Sequence, residues 1–426
     1  MTDADSTARP SRLRQVLIVG DFADLISGQA KVAIDSALLL ADGGIDVTFF
    51  AACGPVSAAL EHPRIRTVCL DQRTILDDPN RLRAMARGIW NGPALTALRK
   101  VTAEHDPAST VLHCHGFAKA LSPAIGRVLA DGPLRSVFTM HEYFLACPNG
   151  GFYDYRRNEI CTRKPLGASC IATDCDVRHR AHKMWRLVRG AVAAGPGKLP
   201  GGLRDVIFIS ETQRRAIEAY LPEGVRLHSV PNPVEAGGPQ VDWRANRHLV
   251  FVGRLSREKG ALQLAEAARA LGLPVRFVGD GPEADPIRKA NPEAEITGWV
   301  TPEDVQRHLS EARALVFPSL WYEGQPLVPI EAQLRGIPVV CGRWSAAAEE
   351  IRDGENGIVY DTPGTASLVA ALGRLDTVGT FDSAALARRV APEAHRDRLI
   401  ALYEGLLSTA PRQADRSSPN SRSSAA

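Results

Sequence analysis

The sequence predicts an α/β chain built as two Rossmann-like domains facing each other across a cleft, and three observations predict it. At 426 residues the chain is too long for one ordinary core. Strand-like and helix-like runs alternate nearly throughout, which is the pattern of parallel sheets covered on both faces. The alternation breaks once, at Glu235-Ala236-Gly237-Gly238-Pro239, and then restarts without a strong repeat between the halves. The expected division is residues 1–234, with a Cys-rich insert near 146–176, then residues 245–408, then a disordered tail over 409–426 rich in Ser, Ala, Arg and Pro.

In the first half, Gln15-Val16-Leu17-Ile18-Val19-Gly20 reads as the opening strand, and Lys31 to Ala41 as a helix with Val32, Ala33, Ala37 and Leu40 inward. Asp46–Phe50, Val111–His115, Ser136–Met140 and Val206–Ile209 read as further strands. In the second half the strands are Leu249–Gly253, Val275–Val278, Ala314–Phe317, Pro338–Cys341 and Ile358–Tyr360. Ligands of such sheets sit outside the carboxyl ends of the strands, so with two sheets the cleft between them is the natural site.

Composition narrows the function. The formal net charge of +3 is too small to imply nucleic-acid binding, and no apolar run reaches bilayer length. Met1 to Arg14 carries no apolar core, so a cytoplasmic protein is expected. Eight cysteines in this length do not suggest a disulfide framework. Four of them, Cys147, Cys161, Cys170 and Cys175, cluster in one segment. They read as candidate ligands of a structural zinc ion, with reduced thiols or one disulfide as the alternatives. From Val177 to Val188, Arg178, Arg180, Lys183 and Arg186 interleave with Met184, Trp185 and Leu187. That is either a basic amphipathic helix suited to peripheral contact with an anionic membrane or a solvated helix face.

Two stretches of the second half carry the chemistry. In Trp321-Tyr322-Glu323-Gly324-Gln325-Pro326-Leu327-Val328-Pro329-Ile330-Glu331, Glu323 lies on a loop leaving a strand and Glu331 within the next helix, so the two carboxylates are expected to face the same crevice. Pro326 and Pro329 suit the first turn of that helix, whose free amides favour an anion or sugar hydroxyls. In Gly253-Arg254-Leu255-Ser256-Arg257-Glu258-Lys259-Gly260, Arg254 and Lys259 stand between a strand and an amphipathic run at Leu262, Ala265, Ala268 and Leu271. A forked guanidinium and an ammonium there would suit a diphosphate.

Both stretches resemble glycosyltransferase family 4, retaining enzymes of the GT-B fold: the first its Glu-x7-Glu segment, the second its Gly-Arg-Leu-x-x-x-Lys-Gly element. Phe277-Val278-Gly279-Asp280-Gly281-Pro282, Val230-Pro231-Asn232-Pro233 and Glu350-Ile351-Arg352-Asp353-Gly354-Glu355-Asn356-Gly357 are similar to further segments of that family. Pro233 replaces a usual glycine, and Ser345-Ala346-Ala347-Ala348 replaces a usual glycine pair. In the first half, Thr139-Met140-His141 is similar to the family's Thr-x-His strand end, and Ser27-Gly28-Gln29 keeps one glycine of its Gly-Gly loop. By itself Gly28 reads equally as a turn residue needing positive φ.

The resemblance implies a first domain on the acceptor side and a second that binds a nucleotide-diphosphate sugar. It implies donor contacts from Gly28, Arg254, Lys259, Glu323, Gly324, Leu327, Val328 and Glu331, with Glu331 on the ribose hydroxyls. His141, Glu323, Arg254 and Lys259 would carry catalysis, with no metal required and a carbohydrate, lipid-linked or small-molecule acceptor. His113 and His115 are weaker candidates for a substrate contact. A sugar-nucleotide epimerase on the same fold, or a catalytically silent sugar-nucleotide-binding protein, are the alternatives.

Overall fold

The computed structural model describes residues 12–235 and 237–409. The tail expected to be disordered therefore lies, from residue 410 on, outside the described residues, as does Ala236 in the linker. Among the described residues, fifteen strands follow in chain order. β1 (Gln15–Phe22), β2 (Asp46–Cys53), β3 (Ile65–Cys69), β4 (Thr110–Cys114) and β5 (Arg135–Thr139) precede a short antiparallel hairpin, β6 (Tyr153–Asp154) and β7 (Glu159–Ile160). β8 (Asp205–Phe208) and β9 (Arg226–Ser229) complete a parallel sheet of order β3-β2-β1-β4-β5-β8-β9. The second lobe holds β10 (His248–Val252), β11 (Val275–Val278), β12 (Glu295–Ile296), β13 (Ala312–Phe317), β14 (Val339–Gly342) and β15 (Gly357–Tyr360), in the order β12-β11-β10-β13-β14-β15.

The central strands read as unbroken apolar runs because helices cover both faces; Val16 to Val19 are fully buried. The Gly28–Asp42 helix begins three residues earlier than its hydrophobic pattern suggests, because the Ser27 hydroxyl caps it by accepting from the Ala30 amide. Gly28 lies inside that helix without positive φ, and a Cβ there would meet nothing within 4 Å, so no turn requires it. In the Ala261–Leu271 helix the inward face is Leu264, Ala265 and Ala268, whereas Leu271 is exposed: the expected stripe is displaced.

The largest departure concerns domain membership. The Pro392–Ser408 helix belongs by sequence order to the second half, yet Leu399, Tyr403, Leu406 and Leu407 pack in the core of the first lobe. Tyr403 Oη meets His113 Nδ1 at 2.6 Å, and the His395 ring bridges Ser36 Oγ (2.9 Å) and the Pro231 carbonyl (2.8 Å). The helix thus straps the chain just before the linker, at Pro231, to the first lobe. Across the cleft, the Glu349 carboxylate accepts from the Glu211 amide at 3.0 Å and also from Thr212, capping a first-lobe helix from the second lobe.

Candidate functional site

The cationic octet leaves β10 and turns at Gly260, whose φ of +70° suits glycine and where a Cβ would come within 2.2 Å of the Pro318 carbonyl. That contact brings Lys259 against the loop after β13. Gly279, with φ of +143°, does the same one strand over, since a Cβ there would strike the Gly253 carbonyl at 2.1 Å. Backbone close approach, rather than side-chain packing, therefore assembles the carboxyl-end loops of the second lobe.

Lys259 Nζ lies 2.7 Å from Glu323 Oε1. The Ser319 hydroxyl (2.7 Å) and the Trp321 indole N–H (2.6 Å) donate to the same oxygen. Burial alone would raise the pKa of Glu323, but the Lys259 ammonium and these donors outweigh it and hold the carboxyl below its ordinary value. Arg254 behaves differently: its guanidinium donates at 2.5 Å to Glu258, a buried carboxylate that also accepts from Ser256, and its side chain is 57% exposed. Glu331 sits in the Leu327–Leu334 helix, with Pro326 at the cap and Pro329 in the first turn. Its Oε2 accepts from Gln306 Nε2 at 2.9 Å, and burial raises its pKa against that bond.

Two neighbouring openings between the lobes receive Glu323 and Glu331. The first, about 520 Å³, is lined by Gly28, Gln29, His141, Glu323, Gly324 and Leu327, with apolar walls from Phe22, Ile26, Ile75, Leu76 and Trp321. The second, about 680 Å³, is lined by Lys31, Gln306, Leu327, Glu331 and Pro233. The two carboxylates therefore do not share one crevice as the sequence suggests; they face adjoining openings that share Leu327. Arg254, Lys259 and Val328 line neither: Lys259 stands behind Glu323, which it contacts, and Val328 packs against the core of the second lobe. A larger opening of about 820 Å³ lies at the amino ends of β5, β8 and β9, away from every candidate residue.

His141 is half-buried, with Nε2 3.0 Å from His115 Nδ1, and burial of the ring first, then nearby His395, holds its pKa down at about 3. His113 and His115 are likewise held well below the ordinary value by burial. His113 is bound between Tyr403 and Thr139 (2.6 Å to each), and neither His113 nor His115 lines the two openings, so both stand behind His141. The His141 carbonyl is one of the nearest atoms to Gly324, at 3.3 Å from where a Cβ would stand, so the lobes touch there.

Among the described residues no three His, Cys, Asp or Glu side chains are grouped to hold a metal ion, and Cys147, Cys161, Cys170 and Cys175 are free thiols. A protein cation stands between two of them instead: Lys183, 1% exposed, donates to Cys175 (3.1 Å) and Cys170 (3.5 Å). Lys183 thus points inward, and the outward face of the Arg180–Ala194 helix carries Met184 and Val188. The sequence reading also passed over Gln306 and Arg335, whose surroundings only the fold assembles. No described helix is long and apolar enough to cross a membrane.

Residues 246–377 match the family model "Glycosyl transferases group 1". Over 117 residues the chain is 31% identical to a GDP-mannose-dependent alpha-mannosyltransferase of Corynebacterium glutamicum, covering 28% of each chain. It is 28% identical over 274 residues to a D-inositol 3-phosphate glycosyltransferase of Acidothermus cellulolyticus, covering 54% of this chain and 60% of that one. The match spans only about a quarter to a third of the length of the first curated relatives. Among solved structures, Anabaena Alr3699/HepE in complex with UDP and glucose superposes with a TM-score of 0.63 at 14% identity, covering 92% of this chain and 100% of that one. The two facing parallel-sheet domains are the GT-B fold.

Proposed function

We propose that this chain is a GT-B glycosyltransferase that moves a sugar from a nucleotide-diphosphate donor to a second substrate with retention at the anomeric carbon. The observation that carries the reading is the Lys259–Glu323 pair, set at the carboxyl end of β13 where the second lobe meets His141 of the first. Family-model residues 246–377 include both members and Glu331.

In this reading Glu331 accepts from the ribose hydroxyls, a task for a carboxylate with two oxygens. Glu323 and the turn from Gly324 to Val328 hold the sugar and the distal phosphate, with Gly28 opposite. Lys259, with Arg254 swung from Glu258, stabilises the charge that builds on the leaving diphosphate, where the transition state differs most from the ground state. These cations supply the role a divalent metal plays in other transferases. The acceptor proton passes to the leaving phosphate oxygen, and His141 meets the transferred sugar as a neutral ring.

The apolar walls of the first opening favour an acceptor with a lipid portion. Ile26 and Leu76 line it and are themselves exposed, and Leu82, Met85, Met184 and Val188 are exposed nearby on the same lobe. Arg81, Arg178 and Arg186 line a groove of about 210 Å³ with Leu76, Met85 and Trp185. An apolar face with a basic rim suits peripheral docking on the anionic inner membrane surface. Co-sedimentation with phosphatidylglycerol vesicles tests this, with neutral phosphatidylcholine vesicles as the control; binding lost in Leu82→Glu supports it.

Acceptor-dependent release of nucleoside diphosphate from a nucleotide sugar, with recovery of a glycosylated product, tests the activity itself. Conversion of the nucleotide sugar without an acceptor would indicate an epimerase. Binding without turnover against a broad acceptor panel would indicate a silent binder.

A further inference from the structure

Glu331 is held by a chain of two further side chains. Gln306 Nε2 donates to Glu331 Oε2 at 2.9 Å, while Gln306 Oε1 accepts from Arg335 Nη1 at 3.0 Å. A guanidinium has no acceptor, so only the oxygen end of the amide can face Arg335, and the N–H₂ end must turn to Glu331. Arg335 is fixed in turn. Its Nη2 donates to Ser310 Oγ (2.6 Å), its Nη1 to the Gln306 carbonyl (2.8 Å) and its Nε to the Pro239 carbonyl of the linker (3.2 Å).

This arrangement is costly. Arg335 is 1% exposed and, among the described residues, has no carboxylate in direct contact, so burial lowers its pKa. Two of its four side-chain hydrogen bonds go to Gln306, one of them to the side-chain oxygen, so the guanidinium that ties the linker down also fixes which way the amide faces. The linker packs on the same chain, since a Cβ on Gly237 would come within 2.2 Å of the Gln306 amide.

We infer that Arg335 and Gln306 are positioning residues for the donor ribose: the oriented amide occupies one lone pair of Glu331 Oε2 and presents the remaining carboxylate acceptors to the two ribose hydroxyls. The inference rests on the reading of Glu331 as the ribose-binding carboxylate, and its consequence is selectivity for ribonucleotides over nucleotides lacking those hydroxyls. An unoriented carboxylate would turn and lose part of that selectivity while the rest of the site stayed intact.

The test is calorimetric binding of UDP, GDP and ADP, each beside its 2′,3′-dideoxy form, to the wild type, Gln306→Leu, Arg335→Met and Glu331→Gln. Gln306 is only partly buried, so Gln306→Leu keeps the test open if Arg335→Met fails to fold. The expected result is a ribo-over-dideoxy preference in the wild type that falls about tenfold in Gln306→Leu, the worth of one charge-assisted hydrogen bond. Dideoxy affinity should stay unchanged, and the preference should disappear in Glu331→Gln. An undiminished preference in Gln306→Leu overturns the inference while leaving the Glu331 reading standing. So does an equal loss for both nucleotide forms, which marks a merely structural role. A wild type without preference, or a Glu331→Gln that keeps it, overturns the Glu331 reading and the inference with it.

Discussion

Lys259 Nζ and Glu323 Oε1, 64 residues apart in sequence, lie 2.7 Å apart in the fold, and each supplies what burial denies the other. A carboxylate 12% exposed is tolerated because an ammonium and two neutral donors converge on one oxygen. Lys259→Ala is expected to lower kcat about 10²–10³-fold, the scale of one lost charge-stabilising donor. It should also lower Tm, because Glu323 is left buried with only Ser319 and Trp321. Adding Glu323→Gln should recover much of the Tm and none of the turnover. Thermal melts and steady-state rates on the three variants check this pair of opposite responses.

Glu331→Gln should separate stability from function in the other direction. Burial raises the folded-state pKa of Glu331 above its unfolded value, so the ionised carboxylate costs stability at neutral pH, and that cost fades as pH falls through the raised pKa. The amide variant is therefore expected to melt higher than the wild type at pH 7–8, with the gap closing in acid. Nucleotide binding should fall at every pH. Melts from pH 8 to pH 4 with and without nucleotide read both effects.

The buried histidines set the acid limit. Burial depresses the pKa of His113, His115, His141 and His395, to about 3 for His141 and about 4 for His395. The unfolded chain therefore binds more protons, and stability declines once pH falls below the unfolded value of about 6.5, continuing down to the folded pKa values. Each such histidine contributes a slope of up to about 1.4 kcal/mol per pH unit in that window. His395→Gln is expected to flatten the decline between pH 6 and pH 4.5. Turnover should show no inflection near pH 6.5 from His141, which stays neutral there; a pH–rate profile checks it.

Cys175 is expected to respond to polarity more than to size. It accepts from Lys183 Nζ (3.1 Å) and Asn149 Nδ2 (3.1 Å) in a buried setting. Cys175→Ser keeps an acceptor for both donors, whereas Cys175→Val leaves a buried ammonium with Cys170 as its remaining partner. The valine variant should lose about 1–3 kcal/mol more than the serine variant, the cost of a buried unsatisfied donor. Urea unfolding of the two measures the difference.

How much of this was legible follows from which signals are local. The apolar runs of β1, β10 and β13 and the octet through Gly260 announce themselves, because strand burial and glycine turns are written into adjacent residues. The short edge strands β3, β9 and β12 were missed; their residues are half exposed and carry no unbroken apolar run. The inward turn of Lys183 ran against the bias of a charged residue toward solvent, and only Cys170 and Cys175 from the insert reverse it. Arg335, followed by Gly336-Ile337-Pro338, looks like the end of a helix and nothing more. Its role depends on Gln306 and Pro239, which the chain brings in from 29 and 96 residues away. The strap formed by the Pro392–Ser408 helix was likewise invisible, since its partners Ser36 and His113 lie in the opposite half of the chain.

The central claim, that the second lobe binds a nucleotide-diphosphate sugar between Lys259–Glu323 and Glu331, is tested most directly by thermal stabilisation of the purified protein across a panel of UDP-, GDP- and ADP-sugars. The account predicts that one base raises Tm in the wild type and that Lys259→Ala and Glu331→Ala each abolish most of the rise. No rise with any member of the panel at millimolar concentration, or a rise unchanged in both variants, would contradict it.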